Sequence, residues 1–139
     1  LRPGLAVGLA PAMVLVACAS GAATVPVYQP ATGSNEIVRG PISAAPGHSL
    51  VTADIVLPAG GEVPRHFHHG EEFLTVIGGS TTLARVGQTD LKLRPGEGVR
   101  IAPGTVHSAI AGPEGLRAVS SWVLPDGKPL REMVNEPAP

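Results

Sequence analysis

The sequence predicts an all-β domain, a sandwich or barrel of short strands. Three observations carry this. Gly 18 and Pro 15 are both high for 139 residues, and they cluster between short apolar runs. Those runs are rich in Val, Leu and Ile. No segment beyond the N-terminal stretch keeps a helical period over three turns. Aromatic residues make up 3% of the chain, so the core must be built from aliphatic side chains and Ala.

From the N-terminus, Gly4–Ala17 carries no charge, after Arg2. Gly8 and Pro11 interrupt this run, which is too short for a good membrane span and reads as a secretory signal peptide, residues 1–17. It ends in Leu15-Val16-Ala17-Cys18, which resembles the lipobox of bacterial lipoproteins. A lipid on Cys18 would anchor an exported, periplasmic chain to a membrane. Cleavage near Ala19–Ala23, discarding Cys18, and a buried N-terminal helix are the competing readings. No twin-arginine pair stands out in the leader, so export of the unfolded chain is the simpler expectation. Residues 18–36, rich in Pro, Thr, Gly and Ser from Thr24 on, read as a tether or arm.

Strands follow, each closed by turn residues. Ser49–Leu57 ends at Pro58, and Glu71–Ile77 at Gly78-Gly79. Thr81–Val86 ends at Gly87, and Leu91–Leu93 before Pro95-Gly96. Val99–Ala102 meets Pro103-Gly104, His107–Ala111 meets Gly112-Pro113, and Leu116–Leu124 closes at Pro125-Asp126-Gly127. Residues 37–128 form the domain, and 129–139 are expected to be a loose tail.

The formal net charge is −1, from 10 basic and 11 acidic residues without a block of one sign. No nucleic-acid footprint or polybasic membrane patch is present. The single cysteine excludes an intrachain disulfide and a paired-cysteine zinc site.

The chemistry concentrates in His66, His68, Glu72 and His107. Alternate residues on a strand share a face, so His66 and His68 point the same way. A bend at Gly70 can bring the Glu72 carboxylate beside them, and His107 from a distant strand completes three nitrogens and one oxygen. That donor set suits one divalent Fe, Mn, Ni, Zn or Cu ion rather than Ca or Mg, and leaves positions open for water or a small-molecule substrate. His48 and His69 read as surface residues. Glu71 has the opposite parity to Glu72 and reads as solvated or at an interface.

These residues also resemble the two motifs of the cupin superfamily. Gly60 is followed by five residues, His66-Phe67-His68, three residues, Glu72, six residues and Gly79. Gly96 is followed by five residues, Ala102-Pro103-Gly104, two residues and His107. Ala102 stands where the family usually has Pro, and Ala111 where it often has Asn. The resemblance implies a small single-domain cupin barrel, a double-stranded β-helix or jelly roll, over residues 37–128. It implies metal ligation by His66, His68, Glu72 and His107. It makes oxygenase-type chemistry an expectation, with Glu72 as a general base when loosely coordinated. Non-catalytic binding of a metal or small ligand is the alternative.

The ligand face of the Glu72 strand continues with Leu74 and Val76; Phe73, Thr75 and Ile77 face the other way. Both faces being apolar, the arm or a second subunit is expected to cover the outer one, and the resemblance favours a homodimer. Leu74, Val76, Ala109 and Trp122 are expected to line the cavity. Arg65, Arg85, Arg100 and Arg117 are candidate anchors for a substrate anion, with surface ion pairs the more ordinary role. Tyr28, in the arm, is expected to contribute nothing to the site.

Overall fold

The computed structural model describes residues 26–135. The expected signal peptide, Cys18, the arm as far as Val25 and the tail from Glu136 lie outside these. Eight strands follow in chain order: β1 (Gly33–Pro41), β2 (His48–Leu57), β3 (Glu62–Phe67), β4 (Glu71–Arg85), β5 (Leu91–Leu93), β6 (Gly98–Ile101), β7 (His107–Pro125) and β8 (Glu132–Met133). The described residues contain no helix. All strand pairs are antiparallel.

Two long strands organise the molecule. β4 and β7 pair from Glu71↔Val123 through to Arg85↔His107, with register shifts around Gly78 and Gly79. Beyond them the partners change. β2 pairs with the second half of β7 and β3 with the first. β6 pairs with the first half of β4 and β5 with the second. The sheet therefore folds over into two layers, β1-β2-β7-β4-β6 and β8-β3-β7-β4-β5, as in a double-stranded β-helix.

The glycines expected to end strands bend them instead. Gly79 has φ +67°, and a Cβ there would lie 2.0 Å from the Gly115 carbonyl oxygen. Only a residue without a side chain lets the two backbones approach so closely while one adopts a left-handed conformation. The runs Glu71–Ile77 and Thr81–Val86 thus belong to one continuous strand, as do His107–Ala111 and Leu116–Leu124.

The inward faces follow the expected period of two. Glu72, Leu74, Val76, Thr81 and Leu83 of β4 are buried, as are Ala109, Ala111, Leu116, Ala118, Ser120, Trp122 and Leu124 of β7. Leu74, Val76, Leu93, Ala111, Leu116 and Ala118 form one core cluster; Val51, Ala53, Trp122 and Leu124 form another. At about 1.5–3 kcal/mol per fully buried aliphatic side chain, such small residues still supply the main driving force for folding.

Both ends of the domain differ from expectation. Gly33–Glu36, assigned to the arm, already pair with β2. Within the expected tail, Glu132 and Met133 pair with β3 because their backbone groups complete its free edge. On the outer face Phe73 and Ile77 are about half exposed. The arm reaches this face farther along, where Arg117 Nη2 donates to the Tyr28 carbonyl.

Candidate metal centre

β3 carries His66, its continuation carries His68, β4 opens with Glu72, and β7 begins at His107. His66 and His107 are direct partners across the β3–β7 ladder. Between His68 and Glu72 the chain runs so close to β7 that a Cβ on Gly70 would lie 1.6 Å from the Val123 carbonyl oxygen. Glycine at this position lets the chain pass β7 and present Glu72 beside the imidazoles. All four side chains are buried, at 4–5% exposure.

Each of the three imidazoles commits its Nδ1 to a backbone carbonyl. His66 Nδ1 donates to the Pro64 carbonyl at 2.7 Å and His107 Nδ1 to the Thr105 carbonyl at 2.8 Å. His68 Nδ1 donates to the Leu130 carbonyl. With each Nδ1 proton committed, each Nε2 presents a lone pair inward. The ligand atoms of the three lie within 4.8 Å of one another, and His66 Nε2 is 3.2 Å from His68 Nε2. Glu72 Oε2 is 3.1 Å from His68 Nε2 and 3.3 Å from His107 Nε2. It is buried without a hydrogen bond of its own. Acceptors facing acceptors in a buried site are relieved by a proton or a metal cation between them. The histidine triad is able to hold a metal ion, and the orphaned carboxylate oxygen fits that role.

Electrostatics agree with the geometry. Burial pushes the His66 imidazole down to about 4, against the pull of the Pro64 carbonyl, so it stays neutral at pH 7. Burial acts to raise Glu72; an Nε2 proton on His107 or His68, together with the Ser120 hydroxyl, outweighs it and holds the carboxyl well below its usual range, and with the imidazoles protonated on Nδ1 a bound cation takes the place of that proton. A neutral imidazole and an ionised carboxylate are the forms that bind metals.

The site opens into a cavity of about 470 Å³. Its wall is mostly aliphatic, with Val51, Ile55, Leu74, Leu83 and Leu116 among the contributors, and Trp122 beside His68 at a ring separation of 5.5 Å.

Residues 53–122 match the Cupin domain family. The chain belongs to that family. Among curated proteins, none matches its sequence. This cupin is similar in structure to a cupin-like protein from Thermotoga maritima, with 26% identity, a TM-score of 0.57, and 61% of this chain and 64% of that one covered. The aligned region is thus less than two thirds of that protein. A cupin protein from Bacteroides fragilis gives 22% identity and a TM-score of 0.55, over 77% of this chain and 87% of that one. Oxalate decarboxylase from Bacillus subtilis gives 17% identity and a TM-score of 0.60, over 74% of this chain and 28% of that one. At such identities the last two establish the fold alone.

Within the cupin barrel the remaining expected residues sort by face and by depth. Leu74, Ala109 and Trp122 line the cavity, whereas Val76, fully buried in the core cluster, does not. Arg100 pairs with Glu71, and Arg117 holds Asp54 through two hydrogen bonds of 3.3 and 2.9 Å, both on the outer face. Arg85 Nη2 donates to the Thr89 carbonyl at 3.3 Å. Arg65 and Arg85 line a separate surface pocket of about 320 Å³. None of these four arginines lines the metal cavity; Arg131, with Glu36 and Glu62, does. His48 lies against the Pro46 carbonyl and His69 against Glu132, outside the triad. Sequence reasoning missed Ser120, whose hydroxyl donates to Glu72 Oε1 at 2.8 Å, and Leu130. A Ser at an inward position of an otherwise apolar strand was the available signal for the first; nothing in the local sequence marks the second.

Proposed function

We propose that this cupin holds one divalent transition metal through His66, His68, Glu72 and His107, and that its apolar cavity admits a small organic molecule to the remaining coordination positions. The observation that carries the reading is the clustering of three imidazole ligand atoms within 4.8 Å of one another, with two of the Nε2 atoms 3.1 and 3.3 Å from a Glu72 oxygen that has no hydrogen-bond donor. A bound metal of this class would supply Lewis-acid polarisation or oxygen chemistry to a molecule in the cavity. The protein's part is to exclude water with an aliphatic wall and to orient the donors through fixed Nδ1 hydrogen bonds. Glu72, held ionised, is a weak base while its partners surround it, so its first role is as a ligand.

Enzymatic turnover, of an oxygenase type, is one form of this reading. Binding of a metal or small ligand without turnover is the other. It is supported by the cavity lining, where Glu72 is the one buried carboxyl and the other two, Glu36 and Glu62, are exposed. Export by the leader, anchoring through Cys18 and pairing of two chains through the face around Phe73 and Ile77 complete the proposal.

The test is metal content of the purified chain by mass spectrometry, beside His66→Ala and His107→Ala variants. Near one metal per chain, lost in both variants, supports the reading and names the ion; oxygen uptake with candidate substrates then separates turnover from binding. No metal in the parent after reconstitution overturns it.

A further inference from the structure

The three histidines are not held in the same way. His66 and His107 donate their Nδ1 protons to carbonyls two residues back on their own segments, Pro64 and Thr105. Those bonds are local, two residues apart in sequence. His68 instead donates to Leu130, 62 residues along the chain.

Leu130 lies between β7 and β8, beyond residue 122, where the family match ends. After β7 the chain turns at Gly127, with φ +77°, and the Lys128 N–H closes the turn onto the Pro125 carbonyl at 3.2 Å. It then brings Leu130 and Arg131 to the cavity lining. The Leu130 side chain packs against the Val51, Ala53, Trp122 and Leu124 cluster. Past it, β8 pairs with β3 at Phe67↔Glu132 and His66↔Met133. The Val134 N–H donates to the Arg65 carbonyl at 3.0 Å, and Glu132 meets His69. Leu130 is therefore clamped on both sides, by an apolar seat and by a short ladder.

We propose that residues 126–135 form a C-terminal strap whose Leu130 carbonyl is a positioning group for the metal centre: it fixes the tautomer and ring orientation of His68. The inference rests on the metal-binding reading for its purpose, but not for its test. An imidazole that loses its Nδ1 acceptor can place its proton on either nitrogen and turn about its side-chain torsions, which removes one preset donor from the site. The strap also supplies Arg131 to the cavity lining, so it is one wall of the ligand space as well.

Two variants loosen the clamp from different sides. Leu130→Ala empties the apolar seat, and Val134→Pro removes the N–H that ties the strap to β3. Leu130→Met restores the seat and serves as the conservative control. Long-range proton–nitrogen correlation spectra of the metal-free, full chain report which His68 nitrogen carries the proton; amide dispersion and circular dichroism report whether the barrel is intact. In the parent and in Leu130→Met, His68 is expected to carry its proton on Nδ1. In Leu130→Ala and Val134→Pro it is expected to become a mixture while His66 and His107 keep their states, and zinc affinity is expected to fall about 10–100-fold. Intact barrels in which both loosened variants keep the parental His68 state and the parental zinc affinity would overturn the proposal. A parent that binds no zinc bears on the metal reading, and the His68 comparison then decides the strap by itself.

Discussion

Ser120 Oγ donates a 2.8 Å hydrogen bond to Glu72 Oε1, joining two buried side chains on the neighbouring strands β7 and β4. The bond divides the labour of the carboxylate. Oε1 is satisfied by protein, and Oε2 is left facing His68 and His107. Ser120→Ala removes the donor and leaves Oε1 buried without its protein partner. The expected result is a loss of about 1–3 kcal/mol in metal-free stability and about 10–100-fold in metal affinity. Urea unfolding and a chelator competition measure the two separately; unchanged affinity would show that the hydroxyl does not orient Glu72.

The ligand set makes a stronger demand. His66→Ala or His107→Ala is expected to abolish stoichiometric metal binding, because each removes one of three converging Nε2 donors. Metal at about one hundred times its dissociation constant should stabilise the parent by about 2.7 kcal/mol. That shift in unfolding midpoint should vanish in both variants, and chelation should remove it from the parent.

Bending of the long strands predicts a hierarchy among glycines. Gly79→Ala must place a Cβ 2.0 Å from the Gly115 carbonyl oxygen at a φ of +67°. Strain of this kind costs of order 1–3 kcal/mol before the clash is counted. Gly87→Ala, at φ +76° with nothing within 4 Å, carries the conformational cost alone. Thermal unfolding should show the first variant well below the second, and equal midpoints would mean that the bend tolerates wider spacing.

Those glycines also show where the sequence could be read and where it could not. Alternation along Glu72–Val76 and Leu116–Leu124 marks strands and their inward faces correctly, because period two survives any tertiary arrangement. Gly78-Gly79 and Gly112–Gly115 signal a break in local pattern. Local pattern does not distinguish a strand that stops from one that folds over with its partner. The imidazoles were legible because His66 and His68 share a face by parity and the motif supplies His107. Val76 was misplaced in the cavity for a different reason. Parity puts it inward, but only the packing of Leu93, Ala111 and Ala118 against it shows that the barrel is filled at that depth. Leu130 contributes a backbone carbonyl, which no side-chain motif can encode, and its reach to His68 depends on the path of the chain after Gly127.

Acid should destabilise the metal-free protein, and the sign follows from two buried groups. His66 is held at about 4 in the folded chain by burial, against about 6.5 in an unfolded one. Between those values the unfolded chain binds a proton that the folded chain refuses. Stability is then fully present above about pH 6.5 and is lost as the pH falls toward about 4. Glu72, whose carboxyl is held low despite its burial, contributes stability above its unfolded value of about 4.3, lost as the pH falls below it. Both contributions have the same sign, so the urea midpoint of the metal-free chain should fall steadily from pH 7 to pH 4. His66→Gln removes one of the two titrating groups and should flatten the curve between about pH 6.5 and 5, leaving between about pH 5 and 4 only the shallower slope that Glu72 contributes. A parental midpoint that stays level across the upper window would show that His66 accepts its proton in the folded state, and that the barrel does not keep this imidazole ready as a neutral donor.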